Sequence, residues 1–149
     1  MVEVAPRELL SWATQEVLET MFFTEVLGAA EFARDCTEPF VAVRVDFRGQ
    51  PSGHLGLCVS AAAARSIAAN FLGEDEAELT ESQILDVVAE LSNMVCGWVV
   101  SRLESDTSFD IQPPQAATPE TAIEPGAPGH CFEMENGILA VSLSLQPAA

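Results

Sequence analysis

Residues 80–104 read TESQILDVVAELSNMVCGWVVSRLE and carry the clearest helix signals in the chain. Thr80 followed three residues later by Gln83 is the pattern of a capping box, in which each side chain satisfies the other residue's backbone N–H. Leu79 and Ile84 stand at the positions of the accompanying hydrophobic staple. The sequence therefore predicts one long helix over these residues.

The predicted helix has two opposite faces, because successive residues turn by about 100° around a helix axis. One face carries apolar side chains and predicts a core-facing stripe. Its members are Ile84, Val88, Leu91, Val95 and Val99. The opposite face carries what we call the polar stripe, which consists of Asp86, Glu90, Asn93 and Gly97. Glu90 and Asn93 are three residues apart, so their Cβ atoms are expected about 5–6 Å from one another.

The polar stripe has an ordinary interpretation, since every amphipathic helix has a polar face and carboxylates on it are usually just solvated. Two features favour a binding surface instead. Gly97 lies in the helix interior, where glycine costs about 1 kcal/mol relative to alanine, and its small size lets another surface approach closely. Asn93 has poor helix propensity at a position that we expect to be exposed. The polar stripe is therefore the candidate functional site.

The residues before this helix predict a helix, a hairpin and a second helix. Apolar residues at helical spacing predict a helix over about 6–28. They are Leu9, Trp12, Ala13, Val17 and Met21. Alternating apolar and polar residues in 40–47 and again in 55–59 predict two antiparallel strands. Ser60 fits the N-cap of a helix over 61–72.

The residues after the long helix are rich in strand and turn signals. Strands are predicted over 108–112, 130–135 and 138–145, and the last two are joined by Asn136-Gly137, which is a type I′ hairpin signal. The segment 113–129 contains five prolines and predicts a mobile loop.

These elements predict an α/β fold of the α+β kind, in which an antiparallel-rich sheet packs against three helices. A helix followed by a hairpin occurs twice, which hints at an internal pseudo-repeat. The chain has 149 residues, 48% of them hydrophobic and 19% charged, as expected for one soluble domain over 1–149.

The charge balance limits the kinds of partner. The net charge is −17, with six arginines and no lysine, so we expect neither nucleic acid nor an anionic membrane surface as a partner. No uninterrupted apolar run approaches the roughly 18 residues of a membrane span. The first residues do not resemble a signal peptide, and a cytoplasmic location is expected.

The cysteines and the missing phosphate motifs argue against a cofactor of the chain's own. Cys36, Cys58, Cys96 and Cys131 are far apart in sequence and lack metal-ligand spacing, so free and mostly buried thiols are expected. The chain has no glycine-rich phosphate loop and no lysine to clamp a phosphoryl group.

The polar stripe also carries a family resemblance. Residues 86–97, DVVAELSNMVCG, resemble the signature of the CheC/CheX/FliY chemotaxis phosphatases, in which Asp or Ser, three residues, Glu, two residues and Asn follow one another. Residues 13–21, ATQEVLETM, are similar to the ATxxVFxTM opening of CheX proteins. The first helix has Glu16-Val-Leu-Glu19 in place of a second E-x-x-N. The resemblance is therefore to the one-site CheX type and not to the two-site CheC type.

The resemblance implies a CheC-like fold and hydrolysis of the aspartyl phosphate of a CheY-like response regulator. It implies that Asn93 orients the attacking water, that Glu90 pairs with a lysine of the receiver domain, and that Asp86 and Gly97 are auxiliary. It further implies that the chain needs no cofactor, because the receiver supplies Mg²⁺ and the lysine, and that the chain forms a homodimer.

Two other functions compete with the phosphatase. One is a non-catalytic CheC-like domain that binds a receiver or a flagellar-switch component, although a pure binder would not need both Glu90 and Asn93. The other is an enzyme with a small-molecule pocket, for which neither histidine lies near a plausible nucleophile in sequence.

Overall fold

The computed structural model describes residues 6–32, 38–49, 51–103 and 109–146. Its helices are α1 (Pro6–Met21), α2 (Ala61–Leu72), α3 (Glu81–Leu103) and α4 (Pro119–Ala122), with a 3₁₀ turn at Glu76–Glu78. Its strands are β1 (Gly28–Ala29), β2 (Phe40–Arg48), β3 (Ser52–Ser60), β4 (Asp110–Ile111), β5 (Gln115–Ala117), β6 (Gly129–Met134) and β7 (Gly137–Gln146).

The seven strands form one antiparallel sheet in the order β1-β6-β7-β3-β2-β4, and β5 also pairs with β2. β3 and β7 lie at its centre although they are far apart in sequence, with Leu55 opposite Leu143 and Leu57 opposite Val141. This arrangement confirms the predicted antiparallel α+β fold.

Different elements pack on the two faces of the sheet. α1, α2 and α3 pack on one face, where large side chains such as Phe47, Leu57 and Phe132 form the main core. The segment around α4 packs on the other face over smaller side chains. The buried members of that second cluster are Ala42, Cys58, Ala122, Ile123, Cys131 and Ala140. The three long helices therefore stand together on one side of the sheet, with α3 among them.

The segment 113–129 contains two elements of secondary structure, so its prediction as a mobile loop is wrong. Thr118 caps α4 through a capping box with Thr121, and Pro119 stands in the first turn, where its missing N–H costs nothing. The Ser142 hydroxyl donates to the carbonyl of Ala122 at 3.0 Å and ties α4 to β7. The prolines here shape the local backbone of a packed segment.

Helix α1 ends at Met21 instead of near residue 28. Phe23 adopts a positive φ of 53°, which does not continue a right-handed helix. The buried face of α1 also differs from the prediction, because Trp12 is 41% exposed and Met21 is 44% exposed. The residues that α1 buries are Leu9, Leu10, Ala13, Thr14, Val17 and Leu18.

Three local predictions need correction. Ser60 stands at the N-cap position of α2 as predicted, but its side chain makes no capping bond, because its hydroxyl accepts the backbone N–H of Ile138 at 2.9 Å. The β6–β7 turn is not type I′, since Met134 pairs with Gly137 and only Asn136 of the two connecting residues has positive φ. The strand predicted over 108–112 is limited to β4 in the described residues.

The capping box at the start of α3 is confirmed. The Thr80 N–H donates to Gln83 Oε1 at 2.9 Å, and the Gln83 N–H donates to Thr80 Oγ1 at 3.1 Å. Among the described helices, α3 alone is long and apolar enough to cross a membrane, with a mean hydropathy of 1.4 over 18 residues. Half of that window is buried inside the protein, as expected for the core helix of a folded domain.

The cysteines in the described part of the chain are free and buried, as predicted. Burial raises the pKa of Cys58 and of Cys96 to about 12 and the pKa of Cys131 to about 11. Thiols with such pKa values are poor nucleophiles at neutral pH. Cys36 lies outside the described residues.

Candidate active site

Helix α3 presents the polar stripe to solvent because its opposite face is held in the core. All five predicted core residues of the helix are buried, from Ile84 at 5% exposure to Val99 at 0%. Ser92 and Cys96 are also fully buried and widen this face. The Ser92 hydroxyl donates to the carbonyl of Val88 at 2.9 Å, so its burial leaves no unpaired donor. The rotation of α3 about its own axis is thereby fixed.

The structure places the four residues of the polar stripe on the accessible side of α3. Asp86 and Glu90 are exposed, while Asn93 and Gly97 are half-buried. Within the described ranges, the side chains of Asp86, Glu90 and Asn93 make no hydrogen bond or ion pair. A carboxylate and an amide therefore stand side by side with their hydrogen-bonding capacity unused.

Gly97 is not required by the packing of the chain itself. A Cβ atom built at this position meets no atom within 4 Å, and the backbone has no positive φ that would demand glycine. An alanine would therefore fit and would favour the helix. No contact in the described part of the chain accounts for glycine at this position.

The stripe has a limited chemical repertoire. An amide offers an acceptor and two donors without charge, and a carboxylate offers only acceptors. Neither is a strong nucleophile. No group of three or more His, Cys, Asp or Glu side chains in the described part of the chain is arranged to hold a metal ion. The stripe can orient a water or pair with a cation.

Helix α1 does not repeat the site. Glu16 and Glu19 occupy the spacing that Glu90 and Asn93 have on α3, with Glu16 half-buried and Glu19 exposed. Two carboxylates at this spacing lack the neutral amide. The E-x-x-N arrangement is therefore present on α3 and not on α1.

Two other places in the fold bear on the pocket-enzyme alternative. A cleft of about 580 Å³ lies between α2, β2 and the first turns of α3, and its lining is mainly apolar, with Arg65 as its cation. No residue of the polar stripe lines it. His54 Nε2 lies 3.5 Å from Glu124, and Ser144 also donates to Glu124. Ser144 lies opposite His54 in the sheet, but no hydrogen bond joins these two described residues, so they do not form a nucleophile–base pair.

One surface cluster next to the polar stripe was not predicted. Trp12 of α1 and Trp98 of α3 pack together, and the guanidinium of Arg102 lies over both rings. Trp98 and Arg102 are four residues apart on α3, so the sequence alone predicts that they are neighbours. The third member comes from another helix, so sequence spacing could not reveal the cluster.

Solved structures share this fold along nearly the whole chain. CheX from Vibrio vulnificus is 21% identical with a TM-score of 0.74, over 97% of this chain and 100% of that one. A chain of the CheX–CheY–BeF₃–Mg²⁺ complex from Borrelia burgdorferi is 19% identical with a TM-score of 0.71, over 97% and 99%. A CheC-like superfamily protein from Shewanella sp. PV-4 is 21% identical with a TM-score of 0.72, over 97% and 99%.

These likenesses define the class of fold as CheC-like. A comparison with curated protein sequences gives no match. The family model described as "Chemotaxis phosphatase CheX" matches residues 41–134, which is more than half of the chain. The chain therefore belongs to the CheX family of chemotaxis phosphatases, in agreement with the resemblance carried by residues 86–97.

Proposed function

We propose that this protein hydrolyses the aspartyl phosphate of a phosphorylated CheY-like response regulator. The observation that carries the proposal is the exposed pair Glu90 and Asn93 on α3, whose side chains have no competing partner among the described residues. Membership in the CheX family supports the same conclusion. We also propose a cytoplasmic location and a single domain over 1–149.

An acyl phosphate suits a site with so few reactive groups. The described residues hold no cluster of metal-ligating side chains, and the sequence has no lysine. Phosphoryl transfer depends on positioning and on stabilising charge at the transferred group. The receiver supplies Mg²⁺ and a lysine beside its own phosphoryl group, so the docked helix needs to add little. The Borrelia burgdorferi CheX structure is a complex with CheY, BeF₃ and Mg²⁺, which agrees with this division of roles.

The two residues have different tasks in this scheme. Asn93 enters the receiver's active site and orients a water for in-line attack on phosphorus, as the water-positioning glutamine of a GTPase does. Its amide can accept from the water without bringing a negative charge close to the phosphoryl group. Glu90 pairs with the receiver's lysine and holds α3 in register, so an anionic surface meets a cation at the centre of the interface. Asp86 has an auxiliary role at the far end of the stripe.

Phosphate release from phosphorylated candidate receivers tests the proposal. The protein is expected to accelerate release from at least one receiver when Mg²⁺ is present and to have no effect on a stable phosphate monoester. Chelation of Mg²⁺ should abolish the acceleration. Tight binding to a receiver without faster phosphate loss would contradict the proposed phosphatase function and favour the non-catalytic binding domain.

Gly97→Ala should separate the stability of the fold from its activity. Because a Cβ at this position meets open space, the variant should be about 1 kcal/mol more stable, which is the helix-propensity difference. The same methyl group should obstruct the docked receiver and raise KM. Thermal unfolding and steady-state kinetics measure the two effects. A more stable variant with native KM would show that no surface approaches the helix here.

We also propose a homodimer that leaves the polar stripe open. The proposal is supported by family resemblance. The sheet ends at β1 on one side and at β4 and β5 on the other, and strands of two to three residues offer only short edges for pairing. Light scattering after size exclusion should give the mass of two chains. A single-chain mass at all working concentrations would contradict the dimer without affecting the phosphatase proposal.

A further inference from the structure

Trp12, Trp98 and Arg102 form what we call the aromatic patch, at the seam between α1 and α3. The two indole rings have centroids 5.2 Å apart and are tilted by 51°. The Arg102 Cζ lies 4.4 Å from the Trp12 ring centroid and 5.1 Å from that of Trp98. Trp12 is 41% exposed and Arg102 is exposed, so the patch faces solvent.

The guanidinium of Arg102 retains unused binding capacity. Its Nη1 donates to the Trp98 carbonyl at 3.4 Å and to Ser101 Oγ at 3.3 Å. In the described part of the chain, its other N–H groups meet no acceptor, and it pairs with no carboxylate. Among the arginines in the described ranges, Arg44 pairs with a carboxylate, whereas Arg102 stacks on two aromatic rings. A guanidinium stacked on aromatic rings keeps its edge free for a bidentate bond to a carboxylate.

The position of the patch connects it to the polar stripe. Trp98 follows Gly97 directly and lies about 100° around the helix from it. Arg102 lies about 7.5 Å from Gly97 along the helix axis. The stripe itself is only about 16 Å long, from Asp86 to Gly97. A stable protein interface covers about 800 Å² on each partner, which is wider than one stripe of side chains. Trp98 and Arg102 lie about 100° and about 140° around the helix from Gly97, toward Trp12 of α1. A protein that docks on the stripe therefore meets the patch where its interface extends across α1.

We propose that the aromatic patch is a second contact for the receiver, which meets it with a carboxylate flanked by apolar side chains outside the phosphorylated pocket. The inference rests on the proposed phosphatase function and extends it to partner choice. Exposed tryptophan and arginine are the residues that most often anchor protein interfaces. A cation on a chain of net charge −17 also selects a complementary, carboxylate-bearing surface.

Kinetics on the receiver identified by phosphate release test the contact. Arg102→Glu should raise KM about tenfold or more, the scale of a single anchor residue, while kcat stays within about twofold. Arg102→Lys should raise KM less, because it keeps the charge but loses the planar fork. Trp12→Ala should also raise KM. Thermal unfolding of each variant shows whether the substitution has destabilised the packing between α1 and α3.

Arg48→Glu is the matched control for charge. Arg48 is exposed at the end of β2, outside α1 and α3, and its reversal changes the net charge by the same amount. Equal increases in KM for Arg48→Glu and Arg102→Glu would reveal only long-range repulsion and would overturn the contact. Native KM in both Arg102→Glu and Trp12→Ala would overturn it as well. Wild-type protein that neither binds the beryllofluoride–Mg²⁺ form of any receiver nor speeds phosphate loss would instead overturn the proposed function itself.

Discussion

Asn93→Ala is expected to reduce turnover of the phosphorylated receiver by about 10²–10³-fold, the scale seen when one positioning or charge-stabilising group is lost. The amide orients the water mainly in the transition state, so its removal should lower kcat with little change in receiver affinity. Single-turnover phosphate release gives the rate, and binding to the beryllofluoride–Mg²⁺ form of the receiver gives the affinity.

The structure makes this variant easy to interpret. Asn93 is half-buried, and its side chain makes no hydrogen bond among the described residues, so its loss should not unfold the protein. Gln15→Ala is a matched control, because Gln15 is another half-buried helical amide, and it bonds only to Ser11 of its own helix α1. Near-native turnover by Asn93→Ala against a genuine receiver would show that the proposed mechanism is wrong.

Glu90→Ala is expected to weaken the complex as well as slow the reaction. If Glu90 pairs with the receiver's lysine, its loss leaves a partly desolvated cation without a partner, which costs at least about 2 kcal/mol. The corresponding rise in the dissociation constant is about 30-fold. Titration calorimetry with the beryllofluoride–Mg²⁺ receiver measures this change, and thermal unfolding should be unaffected because Glu90 is exposed.

Glu19→Ala provides the control for Glu90→Ala, since it removes an exposed carboxylate from α1 and changes the net charge equally. It should leave both binding and turnover at their native values, as expected if α1 carries no second site. A loss of affinity in Glu90→Ala no larger than that in Glu19→Ala would mean that Glu90 meets no cation in the complex.

Local signals in the sequence were sufficient for α3 and for the stripe it exposes. The capping box at Thr80 and Gln83 fixes where the helix begins, and a period of 3.6 residues then assigns each later residue to a face. Because the two faces are opposite, burial of Leu91 and Val95 implies exposure of the polar stripe. The roles of Glu90 and Asn93 came from family resemblance, since spacing alone does not distinguish a functional pair from a solvated one.

Features that depend on distant residues were missed. The prolines of 113–129 predicted a loop, yet Ser142 and the small residue Gly56 allow α4 to pack against the sheet, where a Cβ on Gly56 would overlap the carbonyl of Ala122. Trp12 was assigned to the core because its spacing fits, but it lies at the margin of the buried face, against Arg102. Neither contact is visible in a window of neighbouring residues.

The central position of β7 has a consequence for how the chain acquires its structure. β7 is the last described strand in chain order, yet it pairs with β3 on one side and with β6 on the other. The surface beneath the helices is therefore incomplete until residues near 146 have left the ribosome. Contacts between such distant parts of a chain form slowly. Helix α3 is synthesised well before β7, so its apolar face stays exposed until the sheet that covers it has formed.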